Sequence, residues 1–147
     1  MWSVEASSVS SAAPNILWNL WTRVSEWSAW DPEVVWSKLE GGFSEGTPGV
    51  LKPKGGPPVK FVLTRVEEGR AFSDSASLPL ARMRFHHELA PAAGGGTKVT
   101  HRVEISGPLG PVFGWLIGRG IRKGLPHAVA RLARLAEQSG GPSPGGV

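Results

Sequence analysis

The stretch LARMRFHHELAPAAGGGTKVTHRVEIS, residues 80–106, decides the fold. Two runs that alternate apolar and polar residues flank three successive glycines, which is the pattern of a β-hairpin. In the first run Ala81, Met83, Phe85 and Leu89 share one face, and His87 has their parity. In the second, Val99, Val103 and Ile105 share a face with His101, while Lys98, Thr100, Arg102 and Glu104 point the other way. His86 falls with Arg82, Arg84 and Glu88 on the outer face of the first run. A turn centred on Gly94 sets Phe85 against Val103, Leu89 against Val99, and Arg84 against Glu104 as an opposite-charge pair. It also sets His87 against His101. Like charges directly opposed are unfavourable, so at least one of those rings is expected to be neutral at pH 7. A slip of two residues would keep both faces and separate the histidines.

Upstream of the hairpin lie further strand candidates: EVVWSKLE (33–40), GVLKPK (49–54), VKFVLTRV (59–66) and AFSDSASL (71–78). β-branched residues and Gly/Pro boundaries mark them, and short turns join them, which implies an antiparallel meander. The chain begins with another strand, WSVEASSV (2–9). Pro14 then opens a helix in which Leu17, Leu20, Trp21 and Val24 fall at helical spacing. Ser25 is the expected N-cap of a second short helix that Asp31-Pro32 ends.

Downstream, Phe113, Leu116, Ile117, Ile121, Leu125, Ala128, Leu132 and Leu135 recur at helical period. Pro126 inside this run is expected to kink or break the helix. Gly110, Gly114 and Gly118 make a flat stripe suited to close packing of helix on sheet. The final SGGPSPGGV is Gly/Pro/Ser-rich and expected to be disordered. The fold class expected is α+β: a curved antiparallel sheet of about seven strands around a long C-terminal helix, with two short helices after the first strand. One domain covers residues 1–138 and a tail covers 139–147.

At 147 residues the chain can bury roughly two thirds of its unfolded surface without cross-links. It has no cysteine, which agrees with a reducing compartment. The start MWSVEASSVS lacks the basic and apolar regions of a signal peptide. The longest apolar stretch, PLGPVFGWLIG (108–118), is shorter than the ~20 residues a bilayer-spanning helix needs. A cytoplasmic protein with no stable membrane insertion is expected. Lys plus Arg is 16 and Asp plus Glu is 12, a net charge of +4. The densest basic group, Arg119, Arg122, Lys123, Arg131 and Arg134, is spread along one helix rather than run together, so no nucleic-acid partner is expected. No phosphate loop, dinucleotide fingerprint, G-x-S-x-G or H-E-x-x-H is present.

The segments LWTRVSEWSAWDPEV (20–34), LKPKGGPPVKFVLTRVEEGRAFSD (51–74), LPLARMRFHHELAP (78–91) and GTKVTHRVEISGPLGPVFGWLIGRGIRKGLPHAV (96–129) carry a family resemblance. In order and spacing they resemble the SRPBCC superfamily of START-like and polyketide cyclase/dehydrase proteins, in its bacterial cyclase/dehydrase branch. Arg23 departs from the acidic residue common before the paired tryptophans. The resemblance implies a helix-grip fold around a hydrophobic ligand cavity and no shared catalytic set. The cavity lining expected on this basis begins with Trp21 and Trp30 near the mouth. Phe61, Leu63 and Phe72 follow on the central strands. Met83, Phe85 and Val103 flank the histidines on the hairpin, and Phe113 and Ile117 come from the helix.

Chemistry then rests on the inward His87 and His101, and on Asp74, which shares parity with Phe72, Ala76 and Leu78. Inward histidines serve either as hydrogen-bonded polar tips in a partly wet core or as donors and acid/base groups for a ligand carbonyl or hydroxyl. Asp74 either orients an imidazole or escapes to water through a bulge or an edge position. No metal or other cofactor is expected. His127 is expected near the surface. Binding of a small aromatic, polyketide-like or lipid-like molecule is the first functional expectation, by a monomer or homodimer. A cyclase/dehydratase-type reaction using His87, His101 and Asp74 is the second. Surface contact with a protein or membrane through the basic helix is the third.

Overall fold

The computed structural model describes residues 1–139. All but the first residue of the expected tail lie outside this range; Ser139 ends a helix. The elements run β1 (Trp2–Ser10), α1 (Pro14–Thr22), a 3₁₀ turn (Val24–Ala29), β2 (Val34–Leu39), β3 (Pro48–Pro53), β4 (Val59–Glu67), β5 (Ala71–Leu78), β6 (Ala81–Pro91), β7 (Thr97–Ser106) and α2 (Gly110–Ser139). The seven strands form one antiparallel sheet in the order β1-β7-β6-β5-β4-β3-β2. The sheet curls around α2 as a helix-grip, so the expected α+β fold is the one observed.

The meander explains most of this order, because hairpins place consecutive strands side by side. The exception is β1, which pairs with β7 and leaves β2 at the far edge. α1 and the 3₁₀ turn therefore cross the concave face to reach β2, carrying Leu17, Trp21, Val24 and Trp27 into the core. The turn starts at Val24, one residue before the expected cap Ser25, and no side chain caps it. Trp27 Nε1 donates to the Trp21 carbonyl at 2.9 Å and Ser37 Oγ to the Val24 carbonyl at 2.6 Å, and these bonds hold the crossing in place.

β6 and β7 pair with Phe85 opposite Val103, Leu89 opposite Val99, Arg84 opposite Glu104 and His87 opposite His101. The register thus follows a turn centred on Gly94, where three glycines in succession have positive φ. The expected Arg84–Glu104 ion pair does not form, although the two residues are opposed. Arg84 Nη1 donates instead to Ser106 Oγ at 3.0 Å, and Glu104 takes His86 and Arg102 as partners.

α2 is one helix of 30 residues, so Pro126 does not end it. Proline removes the donor to the carbonyl four residues back. That carbonyl belongs to Arg122, and Arg122 and Pro126 are both exposed, so water can replace the donor. The first half of α2 packs through its glycines. A Cβ on Gly114 would lie 2.7 Å from Trp2 Cγ, and one on Gly118 would lie 2.7 Å from Trp2 Cζ2. Only glycine lets the helix axis come this close to β1. The second half buries Ala128, Val129, Leu132, Ala133 and Ala136.

Candidate functional site

Between α2 and the sheet lies a cavity of about 130 Å³. Asp74 on β5, Phe85 and His87 on β6, and His101 and Val103 on β7 line its sheet side. Ile121, Gly124, Leu125 and Ala128 line its helix side, and Trp27, Trp30, Asp31 and Glu33 close it. The closing segment is tied down locally. Asp31 Oδ1 accepts the Glu33 backbone N–H at 2.9 Å, and Arg131 Nη2 on α2 donates to the Ala29 carbonyl at 3.0 Å. Gly124 admits Glu33, since a Cβ there would sit 2.9 Å from Glu33 Cγ.

The two inward histidines are buried, and their ring centroids are 4.7 Å apart at an interplanar angle of 73°. Phe72 stacks flat on His87 at 3.9 Å. Trp21 flanks both imidazoles at 5.7 and 5.8 Å, and Trp30 faces His101 at 5.5 Å. His87 Nδ1 lies 3.3 Å from the Phe72 carbonyl. A carbonyl only accepts, so Nδ1 carries the proton, and a neutral ring keeps its lone pair on Nε2. Burial pushes the His87 pKa well below the ordinary histidine value, and the neighbouring His101 adds to the effect. Burial alone lowers His101 to about 3. Both rings are therefore neutral at pH 7.

Asp74 sits on the central strand β5 and is 5% exposed, so it is not at an edge. A bulge does occur beside it, where the β4 register shifts between Leu63 and Arg65, but it does not carry Asp74 to water. Burial raises the Asp74 pKa to about 8, which leaves a neutral carboxylic acid at pH 7. The half-buried Asp31 is raised to about 6, chiefly by desolvation. Three further polar atoms, Trp21 Nε1, Trp30 Nε1 and His101 Nε2, are buried with no hydrogen-bond partner among the described residues.

His86 takes the other side of the sheet. Its Nδ1 meets Ser73 Oγ at 2.8 Å and its Nε2 meets Glu104 Oε1 at 3.1 Å. Ser73 is 4% exposed, so this chain ties three strands together with its hydroxyl closed to solvent. His127 is exposed on α2. Among the described residues, no group of three or more His, Cys, Asp or Glu side chains is placed to hold a metal ion.

The residues expected at the cavity or in its chemistry fall into three sets. Trp30, Asp74, Phe85, His87, His101 and Val103 meet at its wall. Trp21, Phe61, Leu63 and Phe72 pack instead in the aromatic core beside it. Met83 is half-buried against that core. Phe113 is half-buried and Ile117 is 37% exposed, so the helix does not turn them inward. The reason is the glycine stripe, which occupies the buried face of that half of α2. The stripe was visible in the sequence and, read as the buried face, points to Ile121 and Gly124 in place of Phe113 and Ile117. Trp27, Asp31, Glu33 and Leu51 had no comparable signal, because a 3₁₀ turn and a bulged β2–β3 pair break simple parity.

A family model described as polyketide cyclase/dehydrase and lipid transport matches residues 1–138. No curated protein sequence matches the chain. Among solved structures, protein NE0264 of Nitrosomonas europaea is similar at a TM-score of 0.73 and 14% identity, covering 94% of this chain and 96% of that one. BexL, a di-domain ARO/CYC from the BE-7585A biosynthetic pathway, gives 0.74 at 16% identity, covering 97% of this chain and 48% of that one. Ara h 8.0201 gives 0.63 at 15% identity, over 93% of this chain and 98% of that one. At such identities the likeness is one of fold.

Proposed function

The chain belongs to the polyketide cyclase/dehydrase and lipid transport family, and on that premise we propose that its cavity binds a small, uncharged, hydrophobic molecule bearing an oxygen. The observation that carries this reading is the set of buried, neutral polar groups set among the apolar residues of the wall: the Asp74 acid, the His87 Nε2 lone pair and the unpartnered Trp30 Nε1 and His101 Nε2. A buried polar atom without a partner costs about 1–3 kcal/mol. A ligand hydroxyl or carbonyl among these groups recovers part of that cost, while the rings of Trp27, Trp30 and Phe85 hold its apolar body. These buried groups carry no charge at pH 7, which disfavours an ionic head at the buried end; the ionisable Asp31, Glu33 and Arg102 of the lining are more exposed. The volume of about 130 Å³ is below the roughly 300–1,000 Å³ of pockets for drug-sized molecules. A single aromatic ring or a short chain fits that space; a larger ligand requires the Trp30–Glu33 segment to move.

Mass spectrometry of the purified protein under native conditions, then after denaturation and solvent extraction, tests the reading. A co-purifying neutral molecule of the stated class supports it. A co-purifying charged metabolite contradicts it.

A second reading is supported by the pairing of a base with an acid on one wall. His87 Nε2 can accept a proton from a carbon next to a ligand carbonyl, while the Asp74 acid donates a hydrogen bond to that carbonyl oxygen. This is the proton movement a cyclase or dehydratase needs. BexL offers a fold-level parallel only. His87→Gln with binding retained and turnover lost would favour the enzyme; equal turnover would leave binding alone.

A further inference from the structure

We propose that the N-terminal third of α2 docks this protein onto an anionic lipid bilayer surface. The observation is an apolar tip that the fold leaves open. Trp115 is 81% exposed and Leu116 is 59% exposed, with Val112 and Ile117 beside them. Leu80, 67% exposed, joins this end of the molecule, because its carbonyl accepts the Leu109 N–H at 3.0 Å at the start of α2. Leu80 also holds a positive φ of 52°, a conformation that favours glycine or asparagine over a branched side chain. A leucine presented to solvent in that geometry gains nothing from the fold itself.

Basic residues follow the tip directly. Val112, Leu116, Arg119 and Lys123 are spaced four, three and four apart, so they line one exposed face from apolar to cationic. Arg122 lies beside them over the Trp2 ring, 5.7 Å from its centroid. No Asp or Glu occurs from Ile105 to Ala136, a span that also holds Arg131 and Arg134. Glu33 packs beside Gly124, near Lys123 at the middle of α2 and not at the tip. Exposed Trp and Leu ahead of a cationic collar match the layers of a bilayer surface, with acyl boundary below and anionic headgroups above. The same charge argues against a second copy of this chain as the occupant, since two such faces would bring Arg119 and Lys123 of each together. The inference is independent of the cavity, which meets α2 only from Ile121 onward.

Co-flotation of the full chain with vesicles tests it. Binding is expected to vesicles of phosphatidylcholine mixed with phosphatidylserine, to be weak on phosphatidylcholine alone, and to fall as salt is raised. Trp115→Ser with Leu116→Ser should weaken binding by about tenfold or more. Arg119→Gln with Lys123→Gln should weaken it by about fivefold for each charge removed. Val9→Ser, at an exposed apolar site on β1, should bind as the parent does. All these positions are exposed, so matching melting curves are expected throughout. Failure of the parent to float with the anionic vesicles would overturn the proposal. So would parental binding by the Trp115/Leu116 variant. A dimer in sedimentation velocity that the Trp115/Leu116 variant dissolves, without vesicle binding by the parent, would assign the face to a second copy instead.

Discussion

His87 and His101 face each other across β6 and β7 with ring centroids 4.7 Å apart, and neither can be charged without cost to the other. They pack as aromatic bodies among Phe72, Trp21 and Trp30, and His101 Nε2 has no hydrogen-bond partner among the described residues. The pair therefore belongs both to the core and to the cavity wall, and its protonation links stability to pH.

The first consequence is an acid-side loss of stability. His101 titrates near 6.5 when unfolded and near 3 when folded. Between these values the unfolded chain binds more protons, so stability falls as pH drops, by about 1.4 kcal/mol per unit from this residue. Above 6.5 the residue contributes no slope. His101→Gln should remove this acid slope, leaving carboxylate contributions unchanged. Urea midpoints of parent and variant at a series of pH values check it; parallel curves would contradict it.

Asp74 acts with the opposite sign. Its pKa is 3.8 unfolded and about 8 folded, so the folded state holds the extra proton in that window. Stability from this group is fully present below pH 3.8 and is lost as pH rises through 8. Asp74→Asn, which keeps the neutral shape, should match the parent at and below about pH 3.8, exceed it increasingly up to about pH 8, and hold a constant margin above that. Chemical denaturation on either side of that range measures the difference.

The third concerns the glycine stripe. Alanine is a better helix former than glycine by about 1 kcal/mol. Gly114→Ala should nevertheless destabilise, by about 1–3 kcal/mol, because its Cβ would meet the Trp2 ring at 2.7 Å. In Trp2→Ala the same change should become neutral or favourable. A double-mutant cycle by thermal melting gives the coupling.

These positions also show how much of the site could be read from residues alone. The two faces of the hairpin at 80–106 were legible from parity, while its register stayed open to a two-residue slip; the observed pairing is the Gly94-centred one, which sets His87 against His101. The parity of β5 turned Asp74 inward, but parity alone left open an escape to water through a bulge or an edge, and its burial on the central strand closes that route. Phe113 and Ile117 misled, since apolar periodicity names the buried face of a helix only when side chains fill the contact. Here glycines do, because Trp2 supplies the volume from the other side. Trp27, Asp31 and Glu33 needed the crossing from α1 to β2, which follows from the β1–β7 pairing rather than from any local pattern.

Filling the cavity separates folding from binding. Ala128 is 1% exposed and lines the space opposite the histidines. Ala128→Leu adds three carbons to an apolar void and should hold or raise stability, by up to about 2 kcal/mol. Ligand uptake should be lost. Thermal melting paired with extraction and mass spectrometry reads both; a stable variant that still carries ligand would place the binding site elsewhere.

The most direct test of the central claim watches the histidines themselves. With ¹⁵N-labelled histidine, the ring nitrogens of all four residues can be followed by NMR while a single-ring phenol is added. Selective, saturable shifts at His87 and His101, with His86 and His127 unmoved, are the result expected if the cavity binds a small hydrophobic molecule through its neutral polar wall. Unmoved His87 and His101 at phenol concentrations that saturate every other change in the spectrum would contradict it and leave the pair as structural groups of a closed core.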